Sequence, residues 1–291
     1  MPADTTSSAR RVIAQHPAKR DDIGDLVTRR PLPGPGLDQL DPFLFLNHHG
    51  PQIYPAKNRG LPFGPHPHRG FETVTFIVEG SLAHADSAKH QSVINAGGVQ
   101  WMTAGSGIVH AEVSPPEFLR DGGPLEILQL WVNLPARLKM SEPRYVGLQQ
   151  ESIPAIALPG GGELNLIAGE WGDTSGPIET LTNVFMSTLK LPAGAREQLP
   201  VTSGRQVFLY VVNGDVSVSG EPAKAHHLIE VDRDGESLVI DAASDAQLLF
   251  GHGDVIDEPV YSHGPFVMNT RDEIGQAVED YQAGKFGGLN A

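Results

Sequence analysis

The chain has 291 residues, 19% charged and 40% hydrophobic, a balance that fits a soluble globular protein rather than a disordered one. Its length suits two domains of ordinary size or one large α/β barrel. The net charge of −14 argues against a nucleic-acid or anionic-membrane partner, and the absence of cysteine excludes disulfides, zinc–thiolate sites and thiol catalysis.

Residues 1–12 are small and polar and read as a loose tail, without the apolar core of a signal peptide. No apolar run is long enough to span a bilayer, so a cytoplasmic location is expected. Abundant glycine (33) and proline (24) fit many short strands joined by tight turns. From Pro42 to Leu134 short apolar runs are cut by turn signals. Glu72–Val78 (ETVTFIV) is closed by Glu79 and Gly80, and Leu125–Val132 (LEILQLWV) by Asn133 and Pro135. Pro135–Leu148, rich in lysine, arginine and proline, reads as a connector over the surface. A second strand-rich region runs from Ala155 to Val260, strongest at Phe185–Leu191, Gln206–Val212 and Gln247–Phe250. Within it Phe208–Gly214 (FLYVVNG) repeats the pattern of Thr75–Gly80 (TFIVEG), which points to a diverged internal repeat. Gly160, Gly161 and Gly162 read as a plain loop rather than a phosphate cradle, because no helix pattern follows them. Finally, Thr270 and Glu273 stand at capping-box spacing before Ile274, Ala277, Val278 and Tyr281 at helical intervals. A terminal amphipathic helix over Arg271–Ala283 is predicted, stopped by Gly284 and Gly287.

His66 and His68, flanking Pro67, lie just before a strand pattern. On an extended backbone residues two apart share one face, so both imidazoles can reach one ion. His110 and Glu112 repeat that geometry after the flexible turn Gly105–Gly107. Two such pairs on neighbouring strands supply three imidazoles and a carboxylate to one divalent metal ion: His66, His68, His110 and Glu112. Structural zinc prefers four closed ligands, often with cysteine, whereas a three-histidine, one-glutamate set in a cavity keeps positions open for water, O2 or substrate. A single His-x-His pair is more often structural or solvated; two pairs set by glycine turns favour the ion. His84 and His90 lack a comparable pair. His48 and His49 point to opposite faces of a strand, and one of them is expected at the cavity. His226, His227, His252 and His263 have no converging partners and read as solvated or structural. There is no G-x-S-x-G elbow, no phosphate-binding loop and no dinucleotide fingerprint.

These residues resemble the pirin family of the cupin superfamily. The matching text is Asp41–Leu44 (DPFL), Gly64–Val74 (GPHPHRGFETV), Gly98–Glu112 (GVQWMTAGSGIVHAE), Glu126–Asn133 (EILQLWVN), Glu258 with Pro259, and Phe266–Thr270 (FVMNT). The general cupin motifs fit as well: Gly60, His66, His68, Glu72 and Gly80, then Gly107 and His110. The resemblance covers nearly the whole chain. It implies an all-β fold of two cupin (double-stranded β-helix, jelly-roll) barrels with a short C-terminal α-helix that packs back to complete the structure. The expected division is an N-terminal metal-binding barrel over 13–135, a linker over 136–154, a metal-free barrel over 155–265, and helix and tail over 266–291. The loss of metal from the second barrel agrees with the absence of His-x-His around Phe208–Gly214. As the resemblance has it, Glu112 is the fourth ligand and Glu72 a supporting residue, with Glu72 as substitute ligand the alternative. After DPFL the family reads Asp-His-Phe/Met-Gly-Pro, where this chain has Asn47, His48, His49, Gly50 and Pro51, a change that bears on substrate preference at the pocket mouth.

The activity implied is that of a metal-dependent quercetin 2,3-dioxygenase, which opens the flavonol heterocycle with O2 and releases carbon monoxide. Glu112 is then the general base for the flavonol 3-hydroxyl. Fe2+ is the expected ion, with Mn, Co, Ni, Cu or Zn also compatible with imidazole and carboxylate donors. Phe45, Phe76, Met102, Val109 and Trp131 are expected apolar walls for a flat ring or else core packing. The alternative implied by the family is a non-enzymatic, metal-dependent or redox-sensing regulator that docks on a transcription factor or metabolic enzyme.

Overall fold

A computed structural model describes residues 8–289, so residues 1–7 of the tail predicted over 1–12 lie outside the described residues. Two compact units emerge, and each is built from antiparallel strands that follow the predicted apolar runs.

The first unit gathers Arg20–Pro33, Asp41–Ser152 and the described residues from Ile256 onward. Its strands are β1 (Thr28–Leu32), β2 (Phe43–Tyr54), β3 (Phe63–His68), β4 (Phe71–Glu79), β5 (Ser81–Asp86), β6 (Gln91–Asn95), β7 (Val99–Thr103), β8 (Ile108–Val113), β9 (Gly123–Asn133) and β10 (Arg144–Leu148). The larger sheet has the order β10-β7-β4-β9-β2-β1, with the two-residue strand Lys19–Arg20 beyond β1, and the smaller one β3-β8-β5-β6. The run ETVTFIV lies inside β4 and LEILQLWV inside β9, which pair with each other. Side chains alternate along β4, so Thr73 and Thr75 face one side of the sheet and Glu72, Val74 and Phe76 the other. All five are buried.

The second unit takes the described residues through Lys19, Gly34–Leu40 and Ile153–Val255. Its larger sheet runs Val12–Pro17, His227–Val231, Gln206–Asn213, Ala246–Gly253, Val184–Leu191, Glu163–Ala168 and Ala155–Ala157; its smaller one runs Arg196–Pro200, Ser237–Ala242, Asp215–Val218 and Glu221–Lys224. This order matches the first unit strand for strand. Gln206–Asn213 takes the place of β4, Ala246–Gly253 that of β9, and Val184–Leu191 that of β2. The likeness of FLYVVNG to TFIVEG is therefore that of two equivalent central strands. Gly160 and Gly162 do form a loop, and their amides donate to the buried Glu197 carboxylate at 3.0 and 2.8 Å. The all-β expectation of two cupin barrels and a terminal helix is met.

The chain is shared between the barrels differently from the expected division. Val12–Pro17 pairs with His227–Val231, so the barrel expected over 155–265 takes its edge strand from the N-terminal segment. Arg10, expected in a loose tail, is buried. Its guanidinium donates to the carbonyls of Thr202, Arg205, Asp232 and Gly235, which satisfies a charge that could not otherwise leave water. Within the expected linker 136–154, β10 pairs with β7 and extends the first barrel. Its basic, proline-rich flanks suit an edge strand, where such residues discourage further pairing. Nor does Lys139 lie on the surface. It is 1% exposed, and its Nζ donates to the Gly70 and Val267 carbonyls and to Asn133 Oδ1.

The terminal helix spans Arg271–Gln282 and belongs to the first unit. Thr270 Oγ1 accepts from the Glu273 amide at 3.2 Å, and Glu273 Oε2 accepts from the Asn269 amide at 3.0 Å, a capping box reaching one residue further back than usual. Ile274, Ala277 and Val278 pack with Val109, Phe266 and Phe286. Just before the helix, Phe266–Met268 passes so close to Gly70 (φ +90) that a Cβ there would meet the Val267 carbonyl at 2.0 Å. Only glycine fits.

Glu72 gives the first barrel a pH dependence. Thr103 Oγ1 donates to its Oε1 at 2.6 Å, Oε2 has no partner among the described residues, and burial raises the carboxyl from the ordinary 4.5 to about 7. A value higher in the folded than in the unfolded state gives stability that is full below 4.5 and is lost as pH climbs through 7. Glu72→Gln is therefore expected to match wild type at pH 5 and to be more stable at pH 8 by roughly 1–3 kcal/mol in urea melts. Parallel pH profiles for the two proteins would show that Glu72 ionises freely.

Candidate metal centre

The site begins with strand register. β3 and β8 are antiparallel, with His66 opposite His110 and His68 opposite Ile108. His66 and His68 share a face of β3 because they are two apart, and His110 faces them across the ladder. Beyond His110 the register slips, so that Gly64 and Pro65 oppose Ala111 alone and Phe63 pairs with Glu112. Proline has no amide to give to the ladder, which makes this a low-cost place for a bulge.

One nitrogen from each of the three histidines lies within 4.8 Å of the others, and the ring centroids are 4.3 to 4.9 Å apart. His66 Nδ1 donates to the Gly64 carbonyl at 2.7 Å and His68 Nδ1 to the Pro265 carbonyl at 3.3 Å. A carbonyl only accepts, so in both rings the proton sits on Nδ1 and the lone pair on Nε2. His68 Nε2 and both His110 nitrogens are buried without a partner among the described residues. Burial first, and the neighbouring His66 second, push His68 down to about 3. His110 is driven well below the usual histidine range by burial and by His68, His66 and His84. Neutral imidazoles with unshared lone pairs converge here. That is the donor set a divalent cation takes, and without one these buried nitrogens cost free energy.

Glu112 stands two residues past His110 on the same face of β8 and is 2% exposed. It is not among the residues that meet within 4.8 Å. Its Oε1 accepts from Thr75 Oγ1 at 3.0 Å and from Gln100 Nε2, and its Oε2 accepts from Gln129 Nε2 at 2.5 Å. Both amides are fixed in orientation, because Tyr145 donates to Gln100 Oε1 at 3.1 Å and Trp131 Nε1 to Gln129 Oε1 at 3.4 Å. Sequence reasoning missed this clamp. Its only signal is an amide side chain inside each of two otherwise apolar strands.

Four further histidines of this unit have side-chain partners. His84 Nε2 and His90 Nδ1 both bond to the buried Asp86, at 3.0 and 2.9 Å, and His84 stacks on Tyr145 at 4.0 Å. His48 and His49 point to opposite faces as predicted. His48 pairs with Glu126 at 2.7 Å, whereas His49 bonds to Thr28 at 2.8 Å and packs against Phe63.

Of the predicted walls, Phe45 and Trp131 stack at 4.6 Å, and Trp131 lies 5.5 Å from His68. Phe71, not predicted, adds a ring 4.3 Å from Trp131. Met102 shares the Gln100 face of β7 and packs with Ala104, Ile108 and Tyr145. Phe76 and Val109 are not walls. Phe76 alternates away from Thr75, and Val109 away from His110 to pack under the terminal helix. Glu72, on the Phe76 face, likewise turns away from Glu112, which removes it as a substitute ligand.

Comparison with known families identifies the fold. The Pirin family model matches residues 25–132, and the Pirin C-terminal cupin domain matches residues 186–287. The chain belongs to the pirin family. A pirin-like protein of Caulobacter vibrioides is 42% identical over 269 residues, covering 91% of this chain and 94% of the relative. Human pirin is 38% identical over 265 residues, covering 89% of this chain and 87% of its own. The crystal structure of quercetin 2,3-dioxygenase from Acinetobacter baumannii superposes with a TM-score of 0.91 at 35% identity, covering 97% of this chain and all of that one.

His110→Ala is expected to strip metal from the protein in elemental analysis of purified samples. Gln129→Leu, which leaves Glu112 Oε2 without its donor, is expected to weaken metal affinity by about 10–100-fold in chelator competition, the range typical of outer-shell partners. Unchanged metal content in both His110→Ala and Glu112→Ala would remove the site.

Proposed function

We propose that this pirin holds one divalent metal ion on His66, His68 and His110, with Glu112 as fourth ligand, and acts as a dioxygenase of the quercetin 2,3-dioxygenase kind. It opens the flavonol heterocycle with O2 and releases carbon monoxide. The observation that carries the reading is the set of buried imidazole nitrogens without protein partners, converging beside a carboxylate and a stacked aromatic pair. Likeness to the Acinetobacter baumannii quercetin 2,3-dioxygenase supports the reaction class. Fe2+ is the ion proposed; Mn, Co, Ni, Cu and Zn suit the same donors, and affinity alone favours copper. When bound, such an ion supplies a Lewis acid for the substrate oxygen and a redox centre for O2.

The chain's own residues then divide the work. Gly64 and Pro265 carbonyls hold two imidazoles with Nε2 turned inward. Glu112 takes the proton of the flavonol 3-hydroxyl, and Thr75, Gln100 and Gln129 aim its carboxylate for that transfer. Phe45 and Trp131 offer a flat apolar surface beside His68 for the flavonol rings. The surrounding apolar side chains exclude water, which strengthens the electrostatic interactions inside.

Protein reconstituted with Fe2+, or with each other ion in turn, is expected to consume quercetin, seen as loss of its near-visible absorption band with matching O2 uptake. No turnover with any ion at full occupancy would sink the enzyme reading and leave a metal-dependent binding protein acting on a protein partner. Glu112→Gln is expected to keep part of its metal and to lose about 100-fold or more in turnover, the lower end of general-base effects. Near-wild-type turnover in that variant excludes Glu112 as the base.

A further inference from the structure

The second barrel repeats the first strand for strand, yet its interior differs. In the places of β3 and β8 stand Arg196–Pro200 and Ser237–Ala242, whose buried Leu199, Leu238 and Ile240 join one apolar core. The mouth has been kept. Phe185 opposes His252 in the ladder as Phe45 opposes Trp131, on the equivalent pair of strands. The two rings stack at 4.7 Å with 6° between their planes, close to the 4.6 Å of Phe45 on Trp131.

Over this pair opens a cleft of about 710 Å3, lined by Trp171, Phe185, His252, Ser203, Glu170 and Glu236 among others. That volume is typical of small-molecule sites, about 300–1,000 Å3. Trp171 is carried on the hairpin of Glu170–Trp171 and Thr174–Ser175, half-buried, with its ring 6.0 Å from Phe185. His252 is 7% exposed, and its Nδ1 is buried with no partner among the described residues. Burial, with the positive charges of Arg205 and Arg10, pushes this imidazole down to about 3, so it is neutral. The lining contains two glutamates and no lysine or arginine among the described residues. Arg205 is paired with Asp254 and Arg10 with four backbone carbonyls, so the two glutamates are the charges the lining itself presents, and the surface accepts hydrogen bonds.

We propose that the mouth of the second barrel is a further small-molecule site, for a planar aromatic molecule that is neutral or cationic and carries an N–H or O–H donor. The ring lies against Trp171 and the Phe185–His252 stack, its donor meets His252, and Glu170 and Glu236 attract any positive charge. The site needs no metal and does not depend on the dioxygenase reading.

The test is calorimetric titration of the full-length, metal-loaded protein with two probes sharing one ring system. Tryptamine has the indole N–H and an ammonium group; indole-3-acetate has the same ring and a carboxylate. Tryptamine is expected to bind saturably and at least about tenfold more tightly than indole-3-acetate, a difference of one decade in Kd. Trp171→Ala and His252→Phe, the latter keeping an aromatic ring for the stack, are each expected to weaken it about fivefold or more while metal content stays at the wild-type level. Melting curves establish that each variant is folded, and the half-buried Trp171 carries the test should His252→Phe unfold. His110→Ala is expected to leave tryptamine binding intact, which separates this cleft from the metal centre. Equal affinity for both probes, binding indifferent to Trp171→Ala, loss of binding in His110→Ala, or no saturation up to roughly 10 mM, weaker than the affinities typical of specific small-molecule sites, would each overturn the proposal.

Discussion

The pairing of β3 against β8 is the constraint on which the site depends. Because the side-chain period of a strand is two, a slip of one residue would turn His66 and His68 to the opposite face from His110. Elements far along the chain lock that register. Pro265 accepts from His68 Nδ1, and Arg69, next to that histidine, donates to the Ser106 carbonyl and to Asp280 on the terminal helix at 2.8 Å each. Lys285 and Arg69 together pull Asp280 down to about 2, so this tie stays charged through the neutral range. The terminal helix therefore does more than cover apolar surface. It fixes the turn that follows the ligand strand.

Much of this was legible because it is local. Two histidines two apart on a strand share a face whatever the fold, and so do His110 and Glu112. The clamp on Glu112 was not legible. Thr75, Gln100 and Gln129 come from β4, β7 and β9, and only the pairing of distant strands brings them to one carboxylate. Whether Phe76 and Val109 wall the cavity or pack in the core stayed open for a related reason. In strands buried on both faces hydrophobicity carries no record of which face is which. Had the alternation been counted outward from Thr75 and His110, both would have been set on the far side.

Edge strands misled in another way. Arg144–Leu148 is half-exposed between basic and proline-rich flanks and reads as a linker, and Val12–Pro17, half-exposed and ending in histidine and proline, reads as part of the N-terminal barrel. Edges carry such residues because exposed apolar edges invite association with other chains. The terms that make an edge safe are those that hide it from a reading based on apolar runs.

The comparison of the two barrels shows what the metal centre costs. In the second barrel the interior forms one continuous apolar cluster, running from Leu199 and Leu238 to Phe250. In the first, the middle is occupied by three histidines, a glutamate and two glutamines. Each of those polar groups must be paired or must coordinate, since burial removes their water. The glutamines and Thr75 satisfy Glu112, the two carbonyls satisfy one nitrogen each of His66 and His68, and the remaining inward nitrogens are left for the ion. A cation bound there would contribute to folding as well as to chemistry, because it binds the assembled site and not the open chain. The second barrel, with leucine and isoleucine on the equivalent strands, has no such dependence. The same strand order thus supports one interior that is complete by itself and one that leaves buried imidazole nitrogens open to a metal ion.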